Sequence, residues 1–283
     1  MEGQQRKEMS KMAILSDYHL HTSFSGDSEA PMESMIEKGI ALGLKHMCFT
    51  EHMDMDYVYA SGDPEAMFEV NTDSYLFDVI RYREKYADKI QLNFGIELGI
   101  QPHISKELEK YVKSYDFDFI IASSHLCNRK DPYYPSFYEG REEEEAYREY
   151  FLSILDNLKA FSNFDVYGHL DYVVRYGPNK DVNYSYDKYK DVLDKILEWL
   201  VDHEKGLEIN TGGIFYGLRE LNPCTDILRR YKELGGEIIT VGSDAHAPER
   251  IAQGFDRAGE ILQSCGYKYY TIFAKRTPEY IKI

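Results

Sequence analysis

Histidine and carboxylate side chains recur in this sequence in short polar clusters, each next to an apolar segment. The first cluster is DYHLHT, with His19 and His21 two residues apart, and the last is VGSDAH, with Asp244 and His246 at the same spacing. The clusters between them contain Glu51 with His52, Glu97, His125, and His169 with Asp171. Imidazole and carboxylate groups together are the ligands that a cluster of divalent metals requires. The pattern therefore predicts a metal centre assembled from distant parts of the chain.

The first and last clusters are predicted to converge on a common metal. Side chains two residues apart on an extended strand point to the same side, so the imidazoles of His19 and His21 would aim at one point. Asp244 and His246 repeat this spacing near the end of the chain. In a closed barrel the first and last strands are neighbours, which would bring the two pairs together.

Further ligands are predicted at the ends of intervening strands. Glu97 ends the apolar segment NFGIELG, where an unpaired buried carboxylate is costly, so it should bind a cation and could bridge two metals. His125 and His169 follow the small residues Ser124 and Gly168, which leave room for an imidazole. A single histidine at a strand end is more often a structural residue. Because the other histidine and carboxylate clusters also lie at strand ends, His125 and His169 are predicted to be metal ligands.

A third metal is suggested by His52 and Asp27, although the residues alone leave the role of Asp27 open. Asp27 in SFSGDS is either an ordinary turn or helix-cap aspartate or an oxygen ligand. Glu51 precedes His52 and would point to the opposite side of the strand, so His52 is preferred as the ligand. The three remaining histidines match no cluster and are expected on helix surfaces or in loops: His46, His103 and His203.

Two arginines are candidates to bind phosphate. Arg175 in DYVVRYG and Arg219 in YGLRE each follow a strand-end motif. In loops over a metal cluster, a guanidinium group can hold a phosphate through two parallel hydrogen bonds. The alternative for each arginine is a surface salt bridge in an acidic protein.

These residues need a scaffold that gathers strand ends, and the sequence predicts one. Apolar segments alternate with segments of helical periodicity, without a linker between them. Strands are expected at about 13–18, 46–50, 90–96, 117–122, 165–167, 206–209 and 237–241, and helices at 32–42, 74–87, 105–114, 142–161, 186–204, 223–234 and 248–265. This alternation predicts one α/β domain over residues 13–283, a closed or nearly closed parallel barrel, after a polar extension at residues 1–12. Active sites of such barrels lie at the carboxyl ends of the strands, and two insertions there, 53–72 and 127–140, are expected to cover a substrate.

The amino-acid composition indicates which kinds of molecule the protein is not expected to bind and where it is expected to be located. The chain has 283 residues, with 33 Lys and Arg against 49 Asp and Glu, a formal net charge of −16. Such acidity argues against nucleic acid or a membrane surface as the main partner. Four cysteines without CxxC spacing predict reduced thiols, with Cys48 and Cys265 buried. The polar start and the lack of a long apolar run predict a soluble, cytoplasmic protein.

Taken in order, the motifs resemble those of the PHP (polymerase and histidinol phosphatase) family. DYHLHT, TEH, a strand-end Glu, SSH, GHLD and GSDAH extend from about residue 16 to 248. The resemblance implies a distorted TIM-like (β/α)7 barrel and three divalent metal ions, of manganese, iron or zinc. The first metal would take His19, His21, Glu97 and Asp244; Glu97 would bridge to a second held by His125 and His169; and Asp27, His52 and His246 would hold the third. Some relatives have histidine in place of Asp27, and an aspartate there could change the preferred metal.

The segments DYHLHT–SGDS and GHLDYVVRYG are most similar to family members that hydrolyse L-histidinol phosphate to L-histidinol and phosphate in histidine biosynthesis. The metals would activate water and neutralise charge on the phosphate. Arg175, with Arg219, would bind the phosphate, and Asp244 or His246 would protonate the leaving alkoxide. The insertions offer acidic and tyrosine side chains for the ammonium and imidazole of that substrate, among them Asp54, Asp56, Tyr138 and Glu139.

Two other hypotheses remain open at this point. The same metal centre could serve a phosphotyrosine protein, a nucleotide or a nucleic acid. A nuclease would need a basic groove, which the net charge of −16 disfavours. A protein phosphatase would need an open active site, whereas the two insertions are expected to cover this one. A non-catalytic module stabilised by metals would be favoured by the loss of ligands, whereas all the ligand positions are filled by competent residues.

Overall fold

Parallel strands form the frame of the molecule, which is described by a computed structural model for residues 13–60 and 62–283. The predicted extension at residues 1–12 lies outside the described residues. The strands are β1 Ser16–Leu20, β2 His46–Phe49, β3 His52–Met53, β4 Gln91–Gly99, β5 Phe119–Ser123, β6 Val166–Tyr167, β7 Gly206–Asn210, β8 Ile239–Gly242, β9 Tyr269–Ala274 and β10 Thr277–Lys282. The main sheet has the order β1-β2-β4-β5-β6-β7-β8, and β3 continues beyond β2 and pairs with β4.

The sheet curls until its first and last strands meet at their carboxyl ends. The N–H of His21 donates to the carbonyl of Ala245 at 3.0 Å, and the N–H of Asp244 donates to the carbonyl of His19 at 2.9 Å. All pairings within the main sheet are parallel. The prediction of a single α/β domain with a nearly closed, TIM-like barrel of seven parallel strand positions is therefore confirmed.

Helices cover the outside of the barrel because each has one apolar face. They are α1 Met32–Leu42, α2 Thr72–Lys85, α3 Ser105–Val112, α4 Glu143–Ala160, α5 Tyr186–Asp202, α6 Thr225–Glu233 and α7 Phe255–Ser264. In α5 the apolar face is buried, with Val192, Ile196, Leu197 and Leu200 all at 0–1% exposure. Three glutamates, Glu143 to Glu145, begin α4, where they complement the helix dipole.

The last predicted helix, at 248–265, is wrong in its first half. A short 3₁₀ helix occupies Pro248–Arg250, and α7 begins only at Phe255. Between them Ala252 and Gly254 have φ angles of 55° and 81°, which an α-helix cannot contain. The interruption lets the chain turn, so that the N–H of Ala252 reaches the buried carboxylate of Asp17 at 3.1 Å.

A carboxyl-terminal hairpin, β9 and β10, closes the amino-terminal end of the barrel and was not predicted. The carbonyl of Phe273 accepts hydrogen bonds from Tyr18 at 2.9 Å and from Asn93 at 2.8 Å. At the turn of the hairpin, Arg276 donates to the carboxylate of Asp165 at the start of β6, with its Nε 2.6 Å from Oδ2. The hairpin thus fills the end opposite the predicted ligands.

Two expectations from composition can be compared with the described structure. All four cysteines are buried and none forms a disulfide in the described part of the chain, as predicted for Cys48 and Cys265. Within residues 13–60 and 62–283, the structure contains no helix with the length and apolar character that a membrane crossing requires.

Candidate metal centre

The carboxyl ends of the strands place the predicted ligands in one cluster. His19 lies on β1, His52 on β3 and Glu97 on β4, while the others follow the ends of β1, β5, β6 and β8. Each predicted ligand lies within 4.0 Å of another through a nitrogen–oxygen contact. The structure therefore brings together all of them: His19, His21, Asp27, His52, Glu97, His125, His169, Asp244 and His246.

Glu97 is the hub of this cluster and is completely buried. Five imidazole nitrogens lie within 3.5 Å of its carboxylate: Nε2 of His169 at 2.9 Å, Nδ1 of His52 at 3.0 Å, and Nε2 of His125, His19 and His21 at 3.1, 3.3 and 3.5 Å. Burial alone would raise the pKa of Glu97, but the surrounding imidazoles hold this pKa well below its usual range. Glu97 is thus placed to contact more than one cation, as the bridging role predicted for it would require.

Asp244 reaches the cluster through an unusual backbone conformation. Its φ is 56°, a left-handed value that is rare for residues other than glycine. One carboxylate oxygen lies 3.7 Å from Nε2 of His19 and 3.6 Å from Nε2 of His21. Gly212 packs against it so closely that a Cβ there would lie 3.0 Å from the Cβ of Asp244. A strained backbone maintained by its surroundings is typical of a functional residue.

Asp27 contacts two imidazoles of the cluster, which goes beyond the local turn or helix-cap role that was the alternative for it. Its Oδ2 lies 3.1 Å from Nε2 of His246 and 3.6 Å from Nε2 of His52. The ring of His21 stacks between those of His52 and His246, with centroids 4.2 and 4.3 Å apart. Burial, and then the charges of His52 and His246, lower the pKa of His21 well below its usual value. A neutral imidazole is the form that binds metals.

The donor set fits divalent metals because several of its atoms are buried and make no hydrogen bond with the described residues. These atoms are Nε2 of His19, His21 and His246, Nδ1 of His52 and His169, and one oxygen each of Asp54 and Glu97. Buried polar atoms without partners are rare in folded proteins. Donor atoms lying within 4.8 Å of one another fall into four groups: His21, His52, His246; His19, His169, Asp244; His19, His21, Glu97; and His52, Glu97, His125.

This grouping overlaps the division expected from the family resemblance without matching it. His169 lies with His19 and Asp244 as well as close to Glu97, and His21 joins His52 and His246 in one group, while Asp27 contacts the same two imidazoles. The chain therefore has histidine and carboxylate clusters able to bind metals, with donors shared between neighbouring groups.

The imidazoles are oriented by three further side chains, which were not predicted as part of the centre. Nδ1 of His19 lies 2.6 Å from Glu208, and Nδ1 of His125 lies 2.7 Å from Asp54. Nδ1 of His21 lies 3.2 Å from the hydroxyl of Ser25. Glu208 interrupts the apolar strand GLEIN, so the argument that selected Glu97 applied to it equally. Asp54 was named only as a possible contact for the substrate.

Arg175 is fixed at the edge of the cluster. It ends a short 3₁₀ helix and is buried. Its Nε donates to Asn222 at 2.9 Å, and its two terminal nitrogens donate to Asp244 and Asn210, each at 2.8 Å. Asn222 is itself held by the carboxylate of Asp171, 2.6 Å from its amide nitrogen. A guanidinium has five N–H donors, so two remain for a ligand.

A pocket opens above these groups. Ionisable side chains line its floor, among them Asp27, His52, Glu97, Arg175 and Asp244. Aromatic side chains form its wall: Tyr57, Phe68, Tyr172, Tyr176 and Tyr216. A concave site with an aromatic wall and a few polar groups that fix orientation is typical of small-molecule binding.

Arg219 is not brought to this cavity. Its side chain is 65% exposed and binds Asp181, whose carboxylate also accepts from the N–H of Arg219 at 2.6 Å. Its position matches the alternative of a surface salt bridge. Sequence alone did not separate it from Arg175, because both follow strand-end motifs.

The two insertions contribute unequally to the cavity. Asp54, Tyr57 and Phe68 of the first insertion line it, and Tyr57 also donates to Asp131 of the second insertion. The other proposed substrate contacts lie elsewhere: Asp56 binds His103 at 2.7 Å, the hydroxyl of Tyr138 donates to the carbonyl of Val173 at 3.1 Å, and Glu139 is exposed. The second insertion supports the wall from behind.

The side chains ranked outside the centre have other contacts. Glu51 is buried and accepts hydrogen bonds from Thr22 and from Ser25, both hydroxyls at 2.6 Å. His46 begins β2, a strand position that differs from the helix or loop expected for it. His103 lies in a short 3₁₀ helix and His203 at the end of α5, both exposed.

Comparison with known proteins identifies the family. A family model described as the PHP domain matches residues 17–212, and the chain belongs to this family, which confirms the resemblance of its motifs. A histidinol-phosphatase of Lactococcus lactis is 36% identical over 259 residues, 91% of this chain and 94% of that protein. A probable histidinol-phosphatase of Clostridium acetobutylicum is 33% identical over 93% of this chain and 98% of its own length.

A solved structure agrees with these relatives. The crystal structure of histidinol phosphate phosphatase from Lactococcus lactis, in complex with zinc, L-histidinol and phosphate, matches with a TM-score of 0.83 at 33% identity. The match covers 93% of this chain and 98% of that chain.

Proposed function

We propose that this protein is a metal-dependent phosphomonoesterase that hydrolyses L-histidinol phosphate to L-histidinol and inorganic phosphate in histidine biosynthesis. The observation that carries the proposal is the buried cluster of imidazoles and carboxylates beside Arg175, at the floor of a pocket with an aromatic wall. The relatives named as histidinol-phosphatases, matched along more than 90% of this chain, support the choice of substrate.

The centre would hold three divalent metal ions, of manganese, iron or zinc. Their ligands would be His19, His21, Asp27, His52, Glu97, His125, His169, Asp244 and His246. When bound, such ions lower the pKa of coordinated water and neutralise the charge on a phosphate. The zinc in the related crystal structure supports a metal of this kind.

Arg175 would bind the phosphate oxygens with its two unused N–H groups. Because Asn210, Asn222 and Asp244 already hold its guanidinium, little reorganisation is needed when negative charge develops in the transition state. Asp244 or His246, which both line the cavity, would return a proton to the leaving alkoxide, directly or through water.

The aromatic wall would receive the organic part of the substrate. Its rings suit the flat imidazole of histidinol, because aromatic groups pack face to edge or offset. The substrate ammonium needs an anionic partner, and Asp54 is the member of the earlier candidates that lines the cavity. Arg219 is left out of this proposal because its guanidinium is engaged with Asp181.

The test compares phosphate release from L-histidinol phosphate, an aryl phosphate and a dinucleotide. Chelated protein is reloaded with Mn²⁺ or Zn²⁺ before each assay. We expect the highest kcat/KM for L-histidinol phosphate. Without added metal, we expect no phosphate release from any of the three substrates. Equal rates on all three substrates, or preference for the aryl phosphate or dinucleotide, would replace the histidinol assignment with one of the other phosphoesterase hypotheses.

A further inference from the structure

Glu208 is a buried carboxylate beside the predicted ligands that the proposed chemistry does not use. It lies on β7 between the buried residues Leu207 and Ile209, and its own exposure is 1%. Burying a carboxylate is costly unless it is paired and hydrogen-bonded. Among the described residues, the ionisable group within salt-bridge distance of it is the imidazole of His19, through Nδ1.

The contacts of Glu208 join three strand ends of the barrel. Its Oε1 lies 2.6 Å from Nδ1 of His19, near the carboxyl end of β1. Its Oε2 accepts the backbone N–H of His169, after β6, at 2.8 Å, and the side-chain amide of Asn210, on β7, at 3.1 Å. One carboxylate therefore sets the positions of two predicted ligands, one through its ring and the other through its backbone.

A glycine on the neighbouring strand makes room for this arrangement. A Cβ at Gly242 on β8 would lie 2.4 Å from Oε1 of Glu208 and 2.4 Å from the Cβ of His19. Real Cβ atoms do not approach other atoms so closely, so any larger residue at 242 would displace Glu208, His19 or both. The absence of a side chain at Gly242 thus leaves the space that Glu208 and His19 occupy.

The geometry also determines which nitrogen of His19 is free. A carboxylate accepts the Nδ1–H, which leaves Nε2 with its lone pair, and the second partner of a metal-bound histidine fixes its tautomer in this way. Nε2 of His19 lies 3.3 Å from Glu97 and 3.7 Å from Asp244, and it makes no hydrogen bond with the described residues. It is turned toward the predicted metal ligands.

We propose that Glu208 is a positioning residue of the metal centre, holding His19 with Nε2 toward the metals and fixing the backbone of His169. The role rests on the proposed metal-dependent function, but it concerns the affinity for metal and not the identity of the substrate. Outer carboxylates of this type change metal affinity or activity by about 10–100-fold when they are replaced.

The experiment measures Zn²⁺ dissociation constants of chelated full-length protein by competition with a chromogenic chelator. Glu208→Gln preserves side-chain size and removes the charge, and it should weaken Zn²⁺ binding at the tightest affected site by about 10–100-fold. In metal-loaded protein kcat should fall more than KM rises. Asp165→Asn is the matched control: this buried carboxylate binds Arg276 at the opposite end of the barrel, so its loss should lower the melting temperature while leaving Zn²⁺ affinity as in wild type.

A second comparison separates positioning from general stability. In a His19→Ala background, adding Glu208→Gln should cause much less loss of Zn²⁺ affinity than it does in wild type, because groups that act through one another are not additive. Equal loss in both backgrounds, or a Glu208→Gln protein with wild-type Zn²⁺ affinity and only a lower melting temperature, would overturn the proposal.

The outcomes also distinguish this role from the proposed function. Wild-type protein that binds Zn²⁺ without hydrolysing L-histidinol phosphate would remove the substrate assignment, while the affinity comparison for Glu208 would still stand. If Glu208→Gln does not fold, Glu208→Asp provides the second variant, because its shorter carboxylate would draw back from Nδ1 of His19 without adding any atom against that ring. Loss of Zn²⁺ affinity in Glu208→Asp supports the role, and unchanged affinity contradicts it.

Discussion

Arg175 is held in place by three hydrogen bonds that it donates to side chains of the protein itself. Its fixed position matters because a donor set that is already oriented stabilises transition-state charge without reorganising. The same residue also pairs with Asp244, so its removal would affect both the phosphate and the metal side of the site.

Replacing Arg175 with alanine should lower kcat/KM for L-histidinol phosphate by about 100-fold or more, the loss typical of one preorganised donor. Inhibition by inorganic phosphate should weaken as well. Steady-state kinetics of Arg175→Ala and Arg219→Ala side by side provide the check, with Arg219→Ala expected within about twofold of wild type because its side chain is exposed. Equal losses in the two variants would return Arg219 to the site.

Asp54 has two candidate roles, and the structure favours orienting His125 through a contact of 2.7 Å. Asp54→Asn should therefore weaken metal binding by about 10-fold. It should lower turnover of L-histidinol phosphate and of an aryl phosphate by the same factor. If KM rises for L-histidinol phosphate alone while metal content stays at the wild-type level, Asp54 binds the substrate ammonium instead.

At the scale of residues, the sequence was sufficient to predict which side chains the fold brings together, where these share a recognisable local pattern. His19, His21 and Asp244 follow from spacing, and Glu97 follows from the cost of a buried charge. Arg175 and Arg219 could not be separated, because what distinguishes them is the contact of Arg219 with Asp181 across the fold. Glu208 could have been found by the rule applied to Glu97, since both interrupt apolar strands.

At the scale of elements, the carboxyl-terminal hairpin ties two parts of the barrel together. Its turn residues Lys275 and Arg276 have φ angles of 51° and 63°, and their N–H groups bind the side chain and the carbonyl of Asp118. Arg276 also pairs with Asp165. The hairpin therefore depends on polar contacts as well as on its apolar face.

Arg276→Ala should lower the free energy of unfolding by about 1–3 kcal/mol, because it leaves the buried carboxylate of Asp165 without its ionic partner. Activity at ambient temperature should stay close to wild type, since the change lies at the end of the barrel away from the candidate metal centre. Urea denaturation measures the effect, and Lys282→Ala, at the exposed end of β10, is the control. A stability equal to that of the control would show that the pair contributes little.

Strands and helices could be predicted where the periodicity of apolar residues is strong. They could not be predicted where tertiary contacts determine the local backbone conformation. The seven strand positions and most helices follow from alternating apolar segments. The break before α7 depends on Ala252 adopting a positive φ to reach Asp17, which no local pattern announces. The hairpin was missed although YYTIFA has the aromatic and β-branched residues of a strand, because Pro278 in its partner strand weakens that signal.

At the scale of the whole molecule, the acidic character of the chain and the metal centre are connected. Several of its carboxylates converge at the barrel mouth, where bound cations would offset their mutual repulsion. Folding that assembles such a site also gains the free energy of metal binding.

Chelation should therefore lower the melting temperature by about 5–10 °C relative to protein with excess metal, from linkage at about 1,000 times the dissociation constant. Re-addition of Zn²⁺ or Mn²⁺ should restore it. Differential scanning fluorimetry is the measurement, and His21→Ala should show a much smaller response. A melting temperature independent of metal in wild type would contradict a loaded centre.

The hairpin that fills the amino-terminal end has a consequence for how ligands leave. With Phe273 bound to Tyr18 and Asn93 inside the barrel, substrate and products share the carboxyl-terminal mouth. Phosphate would lie deepest, against Arg175, while the amino alcohol would lie nearer the aromatic wall. Departure would then be sequential, with the alcohol released before phosphate, so that accumulating phosphate competes directly with the next substrate molecule.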